Sequence, residues 1–148
     1  MSLSTFTWEK GDLITPEGTL IARVRSDVLE YGQQRLLIET SPGTLMSFRM
    51  RATDRDGQVF TLQKEKITVF ELIAQCADRA YTLSRTSHWH RRRVIKVGTT
   101  PVATIRALVG GGLELGLLAA AEQVPMLDLV FMSYGCFLID GVTGYVHR

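Results

Sequence analysis

The chain has 148 residues, 45% of them hydrophobic and 22% charged, which suits one domain with a sizeable core and excludes the apolar-poor, highly charged makeup of a disordered chain. Its 17 Lys and Arg against 15 Asp and Glu leave a net charge of +2, too little for the global basic field that non-specific nucleic-acid binding needs, so no nucleic-acid partner is expected. The two cysteines, Cys76 and Cys136, form no C-x-x-C pair, which argues against a disulfide framework or structural zinc and for a reducing compartment.

Met1 to Lys10 carries Trp8, Glu9 and Lys10 where a secretory signal needs a basic start and an apolar run, so a cytoplasmic location is the expectation. Turn signals then follow at intervals: Pro16-Glu17-Gly18, Ser41-Pro42-Gly43, Asp54-Arg55-Asp56-Gly57, Gly98-Thr99-Thr100-Pro101 and Gly110-Gly111-Gly112. Each supplies a preset φ or a residue tolerant of positive φ. Between them lie short β-branched or apolar runs that read as strands: Leu20 to Arg25, Arg35 to Glu39, Val59 to Leu62, Arg93 to Val97 and Val102 to Ile105 continuing into Arg106. Met46, Phe48 and Met50 alternate with Ser47, Arg49 and Arg51, the signature of a half-buried strand. A degenerate echo places a turn before an apolar strand at Leu20, Val59 and Val102, spaced by near forty residues. Residues 67–81 fit a helix through Ile67, Phe70, Ile73, Ala74, Ala77 and Tyr81, and also fit strand, turn, strand; the second reading is favoured slightly.

From Leu113 the character changes. Apolar residues dominate to Ile139, and Pro125 reads as the start of a helix that stops at Asp140-Gly141. Asp128, Ser133, Gly135 and Cys136 scatter round that helix, leaving no solvent-facing stripe. Residues 125–139 span roughly 22 Å at about 1.5 Å per residue, short of a bilayer core of about 30 Å. Burial in protein is therefore preferred over the alternative, a membrane anchor formed by residues 113–139.

Hairpins ending in one wholly apolar helix resemble the tubby C-terminal-like superfamily, which includes the phospholipid scramblases and LURP-one-related proteins. The likeness rests on Ile14 to Ile21, Thr53 to Val59, Pro101 to Arg106 and Met126 to Asp140. It implies a β-rich (α+β) fold, a closed antiparallel β-barrel around a buried hydrophobic C-terminal helix. The scramblases' cysteine cluster and acidic calcium stretch are not matched, because Ala119 to Val124 stands before the helix.

The densest chemical signal is His88-Trp89-His90-Arg91-Arg92-Arg93, followed by Lys96. Adjacent arginines can grip phosphate by paired hydrogen bonds while Trp89 sits at a membrane interface; a solvated loop is the plainer alternative. His88 and His90 share a face if extended, but no third metal ligand is evident. Asp54 to Gly57 reads as a hairpin turn rather than a calcium loop, Cys136 as a buried thiol, and Cys76 as either buried or reactive. No nucleophile elbow, Walker loop, dinucleotide fingerprint or zincin motif is present, and no cofactor is implied. The expectation is a non-enzymatic binding or scaffold module, with Arg91, Arg92, Arg93, Lys96 and Trp89 meeting anionic phospholipid or a protein partner. The rival is a small-ligand carrier or enzyme with a pocket at the barrel mouth served by His88, His90 or Cys76.

Overall fold

A computed structural model describes residues 4–41, 48–64, 71–86 and 92–141. Twelve strands form from the alternating segments: β1 Ser4–Glu9, β2 Asp12–Ile14, β3 Leu20–Arg25, β4 Val28–Tyr31, β5 Gln34–Thr40, β6 Arg49–Thr53, β7 Val59–Lys64, β8 Glu71–Cys76, β9 Arg79–Arg85, β10 Arg92–Val97, β11 Thr100–Ala107 and β12 Leu113–Leu117. Each pairs antiparallel with its sequence neighbours, and β1 pairs with β12 from Ser4↔Leu117 to Trp8↔Leu113, so the sheet closes into a barrel with no free edge. Closure removes the row of unpaired backbone groups that an open sheet exposes.

Period-two alternation gives the barrel an apolar interior and a polar exterior. Leu13, Leu29, Leu36, Met50, Leu62, Leu72, Leu83, Ile95 and Leu115 are all fully buried. Their strand neighbours Arg35, Glu39, Arg49, Arg51 and Arg92 are exposed. At about 4.8 Å between strands and a tilt of about 40°, twelve strands close on a radius of roughly 12 Å. That circle is too wide for its own side chains to fill. It matches an α-helix of about 10–12 Å diameter with side chains packed around it.

The helix is α1, Met126–Cys136, prolonged by a π-turn over Phe137–Gly141. A 3-10 turn, Ala119–Gln123, carries the chain from β12 to the barrel's head end, where α1 enters, and the tail end holds Asp140 and Gly141. Leu129, Val130, Phe131, Met132 and Ile139 are fully buried, facing different parts of the wall. Two glycines allow this fit. A Cβ on Gly135 would stand 2.2 Å from a methyl of Leu62 and 2.9 Å from that of Met50, so at this residue the helix leaves no room for a side chain beside β6 and β7. Gly141 lies under the β11–β12 turn, its Cβ position 3.3 Å from the carbonyl oxygen of Gly111.

Several expectations change. The helix reaches its expected stop at Asp140-Gly141, but its last turn is underwound into a π-helix over Phe137–Gly141, where Asp140 meets Arg85 and Arg93. The membrane-anchor alternative for 113–139 fails: Leu113–Leu117 is a barrel strand and α1 is enclosed by the wall. Among the described residues no helix is long and apolar enough to cross a membrane. Residues 71–81 adopt the strand, turn, strand arrangement, the turn being Ala77-Asp78; 67–70 lie outside the described residues. The near-forty-residue echo falls on β3, β7 and β11, four strands apart in a ring of twelve.

Candidate functional site

Arginines occur on both sides of the barrel wall and do different things there. Inside, α1 and the π-turn that prolongs it carry three buried polar side chains, each bonded to the wall. Asp128 accepts from Nε and Nη2 of Arg79 at 2.6 and 3.0 Å and from the Tyr81 hydroxyl. Ser133 Oγ accepts from the Trp8 indole at 2.8 Å and donates to the Val130 carbonyl at 3.0 Å. Asp140 accepts from Nε and Nη2 of Arg93 at 2.7 and 3.1 Å, and from Arg85 at 2.8 Å.

The spacing of these latches follows from two rulers. Asp128 and Asp140 are twelve residues apart on a helix, about 18 Å, and Arg79 and Arg85 are six residues apart on β9, about 20 Å. One strand can therefore hold both ends of the helix. Burial alone would lower the Arg93 pKa, but the Asp140 charge and hydrogen bonds, with the nearby Cys136 and Glu71, together outweigh it and the net direction is up. The Arg79 pKa also rises, first through its hydrogen bonds to Asp128. Arg79 and Arg93 therefore stay charged.

The thiols are inert by burial. Desolvation pushes Cys136 up to about 12, and burial raises Cys76 further above its ordinary range, helped by the Asp128 charge. Neither supplies a thiolate nucleophile near neutral pH. This removes Cys76 from the carrier-or-enzyme alternative. A tail-end hollow of about 490 Å³ does exist, between Thr7, Lys10, the Leu108–Gly112 turn and Phe137, but Cys76 does not line it. His88 and His90 lie outside the described residues, as do Trp89 and Arg91. Among the described residues no cluster of three His, Cys, Asp or Glu could hold a metal. Asp54 caps a hairpin turn, accepting from the amides of Asp56 and Gln58 at 2.9 Å each.

Outside, some arginines are neutralised by a neighbour, while Arg25, Arg49 and Arg55 are exposed with no ion pair among the described residues. Arg23 pairs with Asp12 at 3.6 Å, Arg35 with Glu30 at 3.3 Å, and Arg51 with Glu39 at 3.3 Å. β10 holds the described part of the expected phosphate-binding run. Arg93 is a correction to the expected phosphate-binding cluster: it points inward, wholly buried on Asp140, because alternate residues of a strand face opposite sides. Arg92 and Lys96 remain on the outer wall, about 13 Å apart along the strand. The run read as one cluster is thus divided by the wall.

The structure supplies a member that the sequence reading missed. Arg92 sits directly opposite Arg106 of β11, and Arg106 directly opposite Glu114 of β12. Glu114 Oε1 accepts from Arg106 Nε and Nη2 at 3.3 and 3.1 Å. Arg92 has no ion pair among the described residues. Like charges directly opposite on a sheet cost up to about 1 kcal/mol. Beside them lies a hollow of about 260 Å³ lined by Thr86, Arg92, Val94, Thr104, Arg106 and Glu114. The only sequence signal for Arg106 was its outward place in a strand whose partner could not be known. Comparison of the chain with protein-family models, curated proteins and solved structures finds no match.

Proposed function

We propose that the protein is a non-enzymatic binding module whose outer wall engages anionic phospholipid head groups at a membrane surface. The observation that carries this reading is the cationic stretch on β10 and β11, where Arg92 faces Arg106 with Lys96 further along and Glu114 is the carboxylate paired with Arg106. The filled interior supports it from the other side, since α1 occupies the volume that a carrier would give to its ligand. The wall's polarity, charged outside and apolar inside, suits contact with head groups and is the reverse of a lipid-embedded barrel. Kinship with the tubby-like and LURP-one-related proteins is part of the proposal, resting on the filled barrel and the sequence segments quoted above.

Each cation near an anionic surface contributes about 1 kcal/mol, screened by salt. Co-sedimentation with phosphatidylcholine vesicles, with and without anionic lipid, is expected to show binding that needs the anionic lipid and weakens with salt. Absence of charge-dependent binding at low salt would end the proposal.

A further inference from the structure

We infer that the Arg92–Arg106 hollow is a phosphate-monoester site in which Glu114 acts as a built-in competitor, setting a charge threshold that phosphodiesters do not pass. This deepens the proposed function and rests on it for the lipid setting. Three observations carry it. Two guanidinium groups stand in direct cross-strand register at a concave place on the wall. Thr86 and Thr104 line the same hollow and offer hydroxyl donors. At about 260 Å³ the space has room for one phosphate group, a water taking roughly 30 Å³.

The selectivity comes from Glu114. Its carboxylate already holds Arg106 through two hydrogen bonds to one oxygen. A ligand that recruits both arginines must outbid that single negative charge. A phosphodiester carries one charge, the same as the carboxylate, and so gains only Arg92. A phosphate monoester carries about −1.5 to −2 near pH 7 and presents three acceptor oxygens, so it can draw Arg106 away while Arg92 binds as well. Arg92 anchors the anion and Arg106 reports its charge.

The test compares vesicles of phosphatidylcholine containing phosphatidic acid, a monoester, with vesicles containing phosphatidylglycerol, a diester, at matched surface charge. A soluble arm titrates glycerol 3-phosphate. Wild type is expected to favour the monoester vesicles by roughly fivefold or more, the worth of one extra cation contact. Arg106→Gln should abolish the preference. Glu114→Gln should narrow it by strengthening diester binding, with thermal unfolding confirming that both variants fold. Equal wild-type binding to the two vesicle types, or a preference that survives Arg106→Gln, overturns the inference while leaving the anionic-lipid reading intact. Binding of glycerol 3-phosphate that is lost in Arg106→Gln, without binding to either vesicle type, keeps the site and removes the lipid. No binding in any arm overturns both.

Discussion

Arg92 and Arg93 are neighbours in the chain and opposites in the fold. Arg93 is sealed inside the wall on the Asp140 carboxylate, and Arg92 stands outside facing another arginine. Two side chains of identical chemistry are assigned different work by the direction in which a strand points them. Inside, a guanidinium is kept only because a buried charge must be paired and fully hydrogen-bonded. Outside, water screens the charge, so Arg92 can stay unpaired and available.

The contrast is broken most severely from within. Asp140→Leu leaves Arg93 without its buried counter-charge, a change that costs about 3–5 kcal/mol and lowers Tm by roughly 10 °C at this chain length. Differential scanning calorimetry reads it, and a shift within 2–3 °C, about 1 kcal/mol, would show that the latch is dispensable.

A smaller effect sharpens the comparison through pH. The Cys136 thiol has its pKa raised from 9.0 to about 12 by burial. Above pH 9 the unfolded chain releases this proton while the folded chain retains it, so stability falls as pH rises from about 9 to about 12. Denaturant titrations across that range should show a decline that is shallower in Cys136→Ala, and the same slope in both proteins would reject burial as its cause.

The smallest change is expected on the outer wall. Arg92→Gln relieves the cross-strand repulsion with Arg106, so stability should hold or rise by a few tenths of a kcal/mol. Urea unfolding checks it, and a loss above about 1 kcal/mol would mean that Arg92 has a structural role.

How much of this was legible in the sequence follows from what each period can encode. Strands at Leu20–Arg25, Arg35–Glu39, Val59–Leu62 and Arg93–Val97 were visible, within one or two residues of β3, β5, β7 and β10, because alternation and flanking turns are local. β12 was hidden: Leu113, Leu115 and Leu117 alternate properly, but Leu118 and the alanines that follow blur the run into the helix. Trp8 gave no local sign of reaching Ser133, nor Arg106 of facing Arg92, since those contacts depend on closure and register. The polar residues of the helix were noticed as scattered angles around its axis. That scatter was informative, because a helix surrounded on every side meets its polar partners at different points of the circle.

The seam between β1 and β12 also has a temporal consequence. Ser4 belongs to the first strand and its partner Leu117 to the last, while the helix that fills the ring follows later still. Eleven strands must wait, already synthesised, for the twelfth and for the residues that occupy their centre. Loop-closure entropy is therefore offset late, and the chain belongs with slowly folding, high-contact-order topologies that expose sheet edges before they close. Its last quarter governs when the first quarter becomes safe from misassembly.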